Sequence, residues 1–112
     1  MSKTITVGIG DTAIVINKYK GSDTTVTVPS KINNKPVTWL NTGAFEGNTG
    51  IKKVILPSSL LGIRDSAFKG CSKLEEVIGL ENTQVTELKF YVFSGCKNLK
   101  TISLPKTLTL SR

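Results

Sequence analysis

Residues 60–80 read LLGIRDSAFKGCSKLEEVIGL, and the same plan occurs twice more, as VTWLNTGAFEGNTGIKKVILP over residues 37–57 and VTELKFYVFSGCKNLKTISLP over residues 85–105. The three stretches align on Phe45, Phe68 and Phe93, which are 23 and 25 residues apart. Apolar residues recur at fixed offsets: Val37, Leu60 and Val85, then Leu40, Ile63 and Leu88, then Ala44, Ala67 and Val92 directly before each Phe. After it come Ile51, Leu74 and Leu99, then Val54, Val77 and Ile102. Two residues past each Phe stands Gly47, Gly70 or Gly95, where a tight turn needs either a positive φ or room that a side chain would fill. Leu56 and Leu104 close the first and third copies as core residues. The second copy has Gly79 there and Leu80 one step later, so it is expected to bulge or shift by one residue.

A unit of about two dozen residues is too small to bury its own apolar edge and must lean on a neighbour, so the repeat predicts a stacked solenoid. The stretches IKKVIL, LEEVIGL and LKTISL have the L-x-x-L-x-L shape that supplies one short strand per coil, forming a parallel sheet at about 4.8 Å between coils. The phenylalanines are expected to stack as a spine on another wall. The fold class is therefore a leucine-rich-repeat solenoid, mostly β, with short strands and irregular turns.

Several pieces carry a family likeness: Pro29-Ser30, Val37-Thr38, Ala44-Phe45, Pro57-Ser58, Ala67-Phe68-Lys69-Gly70-Cys71, Phe93-Ser94-Gly95-Cys96 and Leu104-Pro105. Together they resemble the BspA-like (Treponema-type) leucine-rich repeats of bacterial and protozoan surface proteins, over roughly residues 26 to 108. Asn48 and Thr49 in the first copy and Val92 in the third depart from the pattern. The runs TITVGIG and TAIVINKYKGSDTTVTVP, broken at Gly8-Ile9-Gly10-Asp11 and Lys20-Gly21-Ser22-Asp23, read as a β-hairpin. The division expected is a hairpin cap over residues 1–25, then repeats over residues 26–112 as three copies plus a partial fourth. After Leu104-Pro105 only KTLTLSR follows, so either a longer array continues or the last coil meets something else, such as a second copy of itself.

The bulk properties suit one ordinary domain of 112 residues, 38% hydrophobic and 21% charged, large enough to need no metal or disulfide staple. No run of about 18 apolar residues occurs and the start lacks a signal-peptide pattern, so membrane insertion is not expected. Fifteen Lys and Arg against eight Asp and Glu give +7, and from Ser94 onward Lys97, Lys100, Lys106 and Arg112 meet no acid. The balance admits a negatively charged partner. It equally suits dispersed lysines that keep a small domain soluble, and the basic and aromatic stripe of nucleic-acid modules is missing.

Catalytic chemistry finds little footing. Histidine is absent, which removes the commonest general base and metal ligand. The Gly8-x-Gly10-x-x-Ala13 match to a dinucleotide loop is followed by the strand-like AIVIN instead of a helix. Glu75 and Glu76 turn to opposite sides of a strand, and Glu76 instead falls opposite Lys53 in the neighbouring coil. No cofactor and no metal is implied. Cys71 and Cys96 sit at equivalent positions with backbones about 5 Å apart, which permits a disulfide; parallel side-chain directions favour buried free thiols instead.

Two surfaces are candidates for a protein partner. On the strand face, Lys53, Ile55, Glu76 and Ile78 form either a contact patch or an ordinary solvated sheet. Elsewhere, Trp39, Phe90 and Tyr91 break the repeat, since Trp39 matches Gly62 and Glu87, and Phe90-Tyr91 replaces Thr42-Gly43 and Asp65-Ser66. Large aromatics of this kind either anchor an interface or pack beneath the hairpin and finish the last coil. The resemblance implies a non-enzymatic protein-binding or adhesive module of a microbial surface protein, secreted or at the cell surface. The missing leader leaves a second reading: a small stand-alone cytoplasmic inhibitor, for example phage-encoded, that blocks a host protein.

Overall fold

The chain winds as a solenoid of about four turns in which every coil contributes to three walls. The structure, a computed structural model, describes residues 4–106 and 108–111, and the side chains of all of these except Phe90, Leu110 and Ser111. The first wall is a parallel ladder of β3 (Thr25–Thr27), β6 (Lys53–Ile55), β8 (Glu76–Ile78) and β10 (Thr101–Ile102). These are the L-x-x-L-x-L strands. Their register places Thr25, Lys53, Glu76 and Thr101 side by side.

The second wall starts with an antiparallel hairpin of β1 (Thr4–Ile9) and β2 (Ile14–Lys20) and continues in parallel through β5 (Lys35–Leu40) to β7 (Gly62–Ile63). A last pair, β9 (Glu87–Lys89) with β11 (Thr109–Ser111), carries the same direction on through the final coils. β2 thus serves both the hairpin and the stack. At one corner β4 (Lys31–Ile32) folds back on β5 through Asn33-Asn34, both in the left-handed region that a tight hairpin turn demands.

The third wall is the Phe turn. Ring centroids of Tyr19, Phe45, Phe68 and Phe93 follow one another at 5.5, 5.1 and 5.4 Å, with the rings nearly parallel over the last two steps. Backbone bonds knit this wall as well: Phe45 N–H donates to the Ala67 carbonyl (2.7 Å) and Phe68 N–H to that of Val92 (3.0 Å). The spine therefore begins one coil earlier than the three phenylalanines indicate, on Tyr19. Gly47, Gly70 and Gly95 all hold φ between 74° and 79°. A Cβ at Gly47 would meet nothing within 4 Å, so conformation and not crowding selects the residue there.

Between the walls lies a continuous apolar core that contains all the inward positions of the first two copies. Each aromatic step adds about 0.5 to 1.5 kcal/mol beyond the area it buries. The irregular second copy behaves as its sequence suggests: Gly79 sits at φ 94° and Leu80, fully buried, opens a short 3-10 turn over Leu80–Asn82. Leu104 corrects the expectation of a core residue. It is 40% exposed, because nothing among the described residues stacks on that side of the last coil.

Candidate functional site

Among the described residues no group of three or more Cys, Asp or Glu is placed to hold a metal ion, and no helix is long and apolar enough to cross a membrane. The cysteines are free thiols, and each donates to the carbonyl of the aromatic residue one coil earlier, Cys71 to Phe45 and Cys96 to Phe68, both at 3.1 Å. The neighbouring Cys96 sulfur and burial push the Cys71 thiol far above the ordinary range, whereas a hydrogen bond from Cys71 holds Cys96 below it. The proton of Cys71 can turn to a Cys96 thiolate, which favours ionising the outer sulfur and keeping the inner one neutral.

The strand face assembles as its spacing indicates. Lys53 pairs with Glu76 at 3.8 Å, and Ile55 lies in register with Ile78, which is 39% exposed. Glu75 leaves on the other side and pairs with Lys100 at 3.5 Å. These half-exposed pairs contribute a few tenths of a kcal/mol each and occupy the charges of the face.

The outer side of the second wall is less regular. Trp39 is in register with Gly62, and its ring lies across that glycine: a Cβ there would stand 2.0 to 2.5 Å from three ring atoms. Arg64, exposed, places its guanidinium 4.8 Å from the ring centroid. Trp39 is half-buried and stands between two concavities. One, of about 670 Å³, runs towards the hairpin loop past Ile9, Val15, Thr38 and Leu61; the other, of about 270 Å³, runs towards Asp65, Thr86, Glu87 and Lys89. Ile9 and Leu61, 56% and 44% exposed, flank the ring with uncovered aliphatic surface. Sequence reasoning singled out Trp39 but not Leu61 or Arg64, although a Trp aligned with a Gly in the next coil is a readable sign of a ring laid on backbone.

Tyr91 joins the rim of the smaller concavity through Asp65. The Asp65 carboxylate accepting from its hydroxyl, helped by partial desolvation, raises the phenol above its ordinary range, and Lys89 lies 3.8 Å from the same carboxylate. Tyr91 takes the place held by Gly43 and Ser66, both at positive φ; the fourth coil avoids that strain by winding Phe90–Phe93 into a 3-10 turn. The Phe90 side chain lies outside the described residues. Trp39 and Arg64 thus sit at the second wall, Asp65 and Tyr91 follow where it meets the Phe turn, and the Lys53, Ile55, Glu76, Ile78 group occupies the first.

Comparison with known proteins agrees with this architecture. The BspA type leucine rich repeat region matches residues 11–111 in six copies. A T. pallidum leucine rich repeat protein superposes with a TM-score of 0.88 at 31% identity, over 96% of this chain and 51% of its own. A leucine-rich repeat protein of Bacteroides ovatus gives 0.83 at 25% identity, over 96% of this chain and 30% of its own. A leucine rich cell surface protein of Faecalibacterium prausnitzii shares the fold, with a TM-score of 0.74 at 19% identity, over 94% of this chain and 36% of its own. The chain spans about half the length of the T. pallidum protein and under a third of the B. ovatus one. No curated protein sequence matches it significantly. From the spine, the walls and the matched repeats, the chain belongs to the BspA-type leucine-rich repeat family.

Proposed function

We propose that this chain is a non-enzymatic, protein-binding and adhesive module of a microbial surface protein, and that its partner docks on the outer side of the second wall around Trp39. The observation that carries the site is the tryptophan seated on Gly62 with Ile9 and Leu61 exposed beside it. A large ring already held in place loses little freedom on binding, and the apolar surface around it is what an interface core buries. The leucine-rich repeat fold supports a protein-interaction role, and the F. prausnitzii relative, described as a cell surface protein, supports the location.

The test pairs location with contact. Surface biotinylation of intact native cells should label the protein, and cross-linking should join it to a partner protein. Trp39→Ser with Leu61→Ser should abolish the cross-link while shifting the melting midpoint little. A cross-link that survives the double substitution, or one lost only when Ile55 and Ile78 are changed, moves the site to the first wall.

A further inference from the structure

Resting on that proposed face, we infer that Arg64 is a receptor for a carboxylate, so that the partner presents an Asp or Glu side chain beside a large aliphatic one. The guanidinium lies over Trp39, whose ring is in turn immobilised on Gly62. Stacking on an aromatic face orients the planar fork and removes rotamer freedom before any ligand arrives, while leaving N–H donors free for bidentate contact. Among the described residues Arg64 has no carboxylate partner. The nearby Asp65 is engaged by Lys89 and Tyr91. A stacked, exposed arginine without an anion thus shares a concavity with the uncovered Leu61, and Ile9 lies on the far side of Trp39.

The surroundings select among anions. Asp65 and Glu87 line the same concavity as Arg64, and Lys89 is held by Asp65, so the groove offers a single open cation among its described side chains. A nucleic-acid backbone or sulfated polymer needs a run of open cations, whereas a single carboxylate needs one. The larger concavity on the other side of Trp39, lined by Ile9, Val15 and Leu61, takes the aliphatic neighbour. The net charge of +7 favours an acidic partner in general.

Trp39 is the sole tryptophan, so its emission reports the site directly. A random twelve-residue peptide display library is selected on the whole chain, and the enriched peptides are synthesised and titrated against Trp39 fluorescence. Enrichment of Asp or Glu next to Leu, Ile, Val or Phe is expected. So is a loss of about tenfold or more in affinity for Arg64→Gln or for the peptide's own Asp→Asn change, with Arg64→Lys restoring part of it. Melting midpoints of the variants, expected within a degree or two of the parent, separate binding loss from unfolding. Peptides that need Trp39 but carry no acid, or bind Arg64→Gln as well as the parent, overturn the carboxylate assignment and leave the docking face standing. Peptides indifferent to both Trp39→Ser and Arg64→Gln, with binding to the tryptophan-free variant read by calorimetry, overturn the face as well, and a library giving no acid-enriched binders, or tighter binding of heparin or RNA at the same groove, overturns the assignment.

Discussion

Residues 67–74, AFKGCSKL, and residues 92–99, VFSGCKNL, occupy successive coils and fold alike. Gly70 and Gly95 hold φ of 77° and 79°, and both cysteine thiols reach the preceding coil's aromatic carbonyl at 3.1 Å. The Leu74 and Leu99 amides donate to the Cys71 and Cys96 carbonyls at 3.1 and 3.2 Å. Their surroundings differ. Phe68, Cys71 and Leu74 are completely buried, whereas Phe93, Cys96 and Leu99 are half-buried. The motif sets the local path of the chain, and the next coil sets how much core that path encloses, so equivalent residues should differ in energy and reactivity while sharing geometry.

Thiol reactivity should show the contrast most strongly. In native protein, iodoacetamide followed by peptide mass mapping should modify Cys96 about a thousandfold faster than Cys71, if Cys71 reacts only through openings that cost about 4 kcal/mol. Comparable rates would mean that the third coil breathes as freely as the fourth. Next comes the spine: Phe68→Ala should destabilise by about 3 to 5 kcal/mol in urea melts, and Phe93→Ala by about 1 to 2, since only part of that ring's surface is withdrawn from water. Equal losses would break the comparison.

A smaller effect tests the link between the two sulfurs. Cys96 alkylation should rise with pH through a midpoint below the usual thiol range, because the hydrogen bond from Cys71 stabilises the thiolate. Cys71→Ala removes that donor, so the midpoint should move up; a downward shift or none would dissolve the coupling. Smallest of all, a double-mutant cycle of Lys53→Gln and Glu76→Gln should return a few tenths of a kcal/mol, fading with salt, for a pair that both coils present to solvent.

What sequence showed and what it hid divide along the same line. Phe45, Phe68 and Phe93, with their glycines and the small apolar residue before each, announced the coil because a local path recurs whenever its residues recur. Gly79 followed by Leu80 gave the shift in the second copy correctly. Tyr19 was passed over as part of a hairpin, although Tyr19-Lys20-Gly21 carries the aromatic and the glycine two places on; its flanks are shorter by about two residues, and a search at fixed offsets misses them. Leu104 was misread because burial depends on a neighbour, which no offset within a coil encodes. At the candidate site, Trp39 was visible as an exception to the repeat. Arg64 and Leu61 were not, since their meaning comes from lying across a coil boundary from that ring, not from their own spacing.

The residue three places after each spine phenylalanine reaches back one coil: Asn48 donates to the Gly21 carbonyl at 3.1 Å, Cys71 to that of Phe45 and Cys96 to that of Phe68. Each of these three units therefore carries its own donor and finds its acceptor in the unit before. A gene segment encoding one whole coil can be duplicated or deleted in tandem without orphaning a bond, because each transplanted unit brings one end of the link and meets the other already waiting. Such a one-way latch makes array length an inheritable variable, since only the direction of the link, from each unit to the one before, has to be kept.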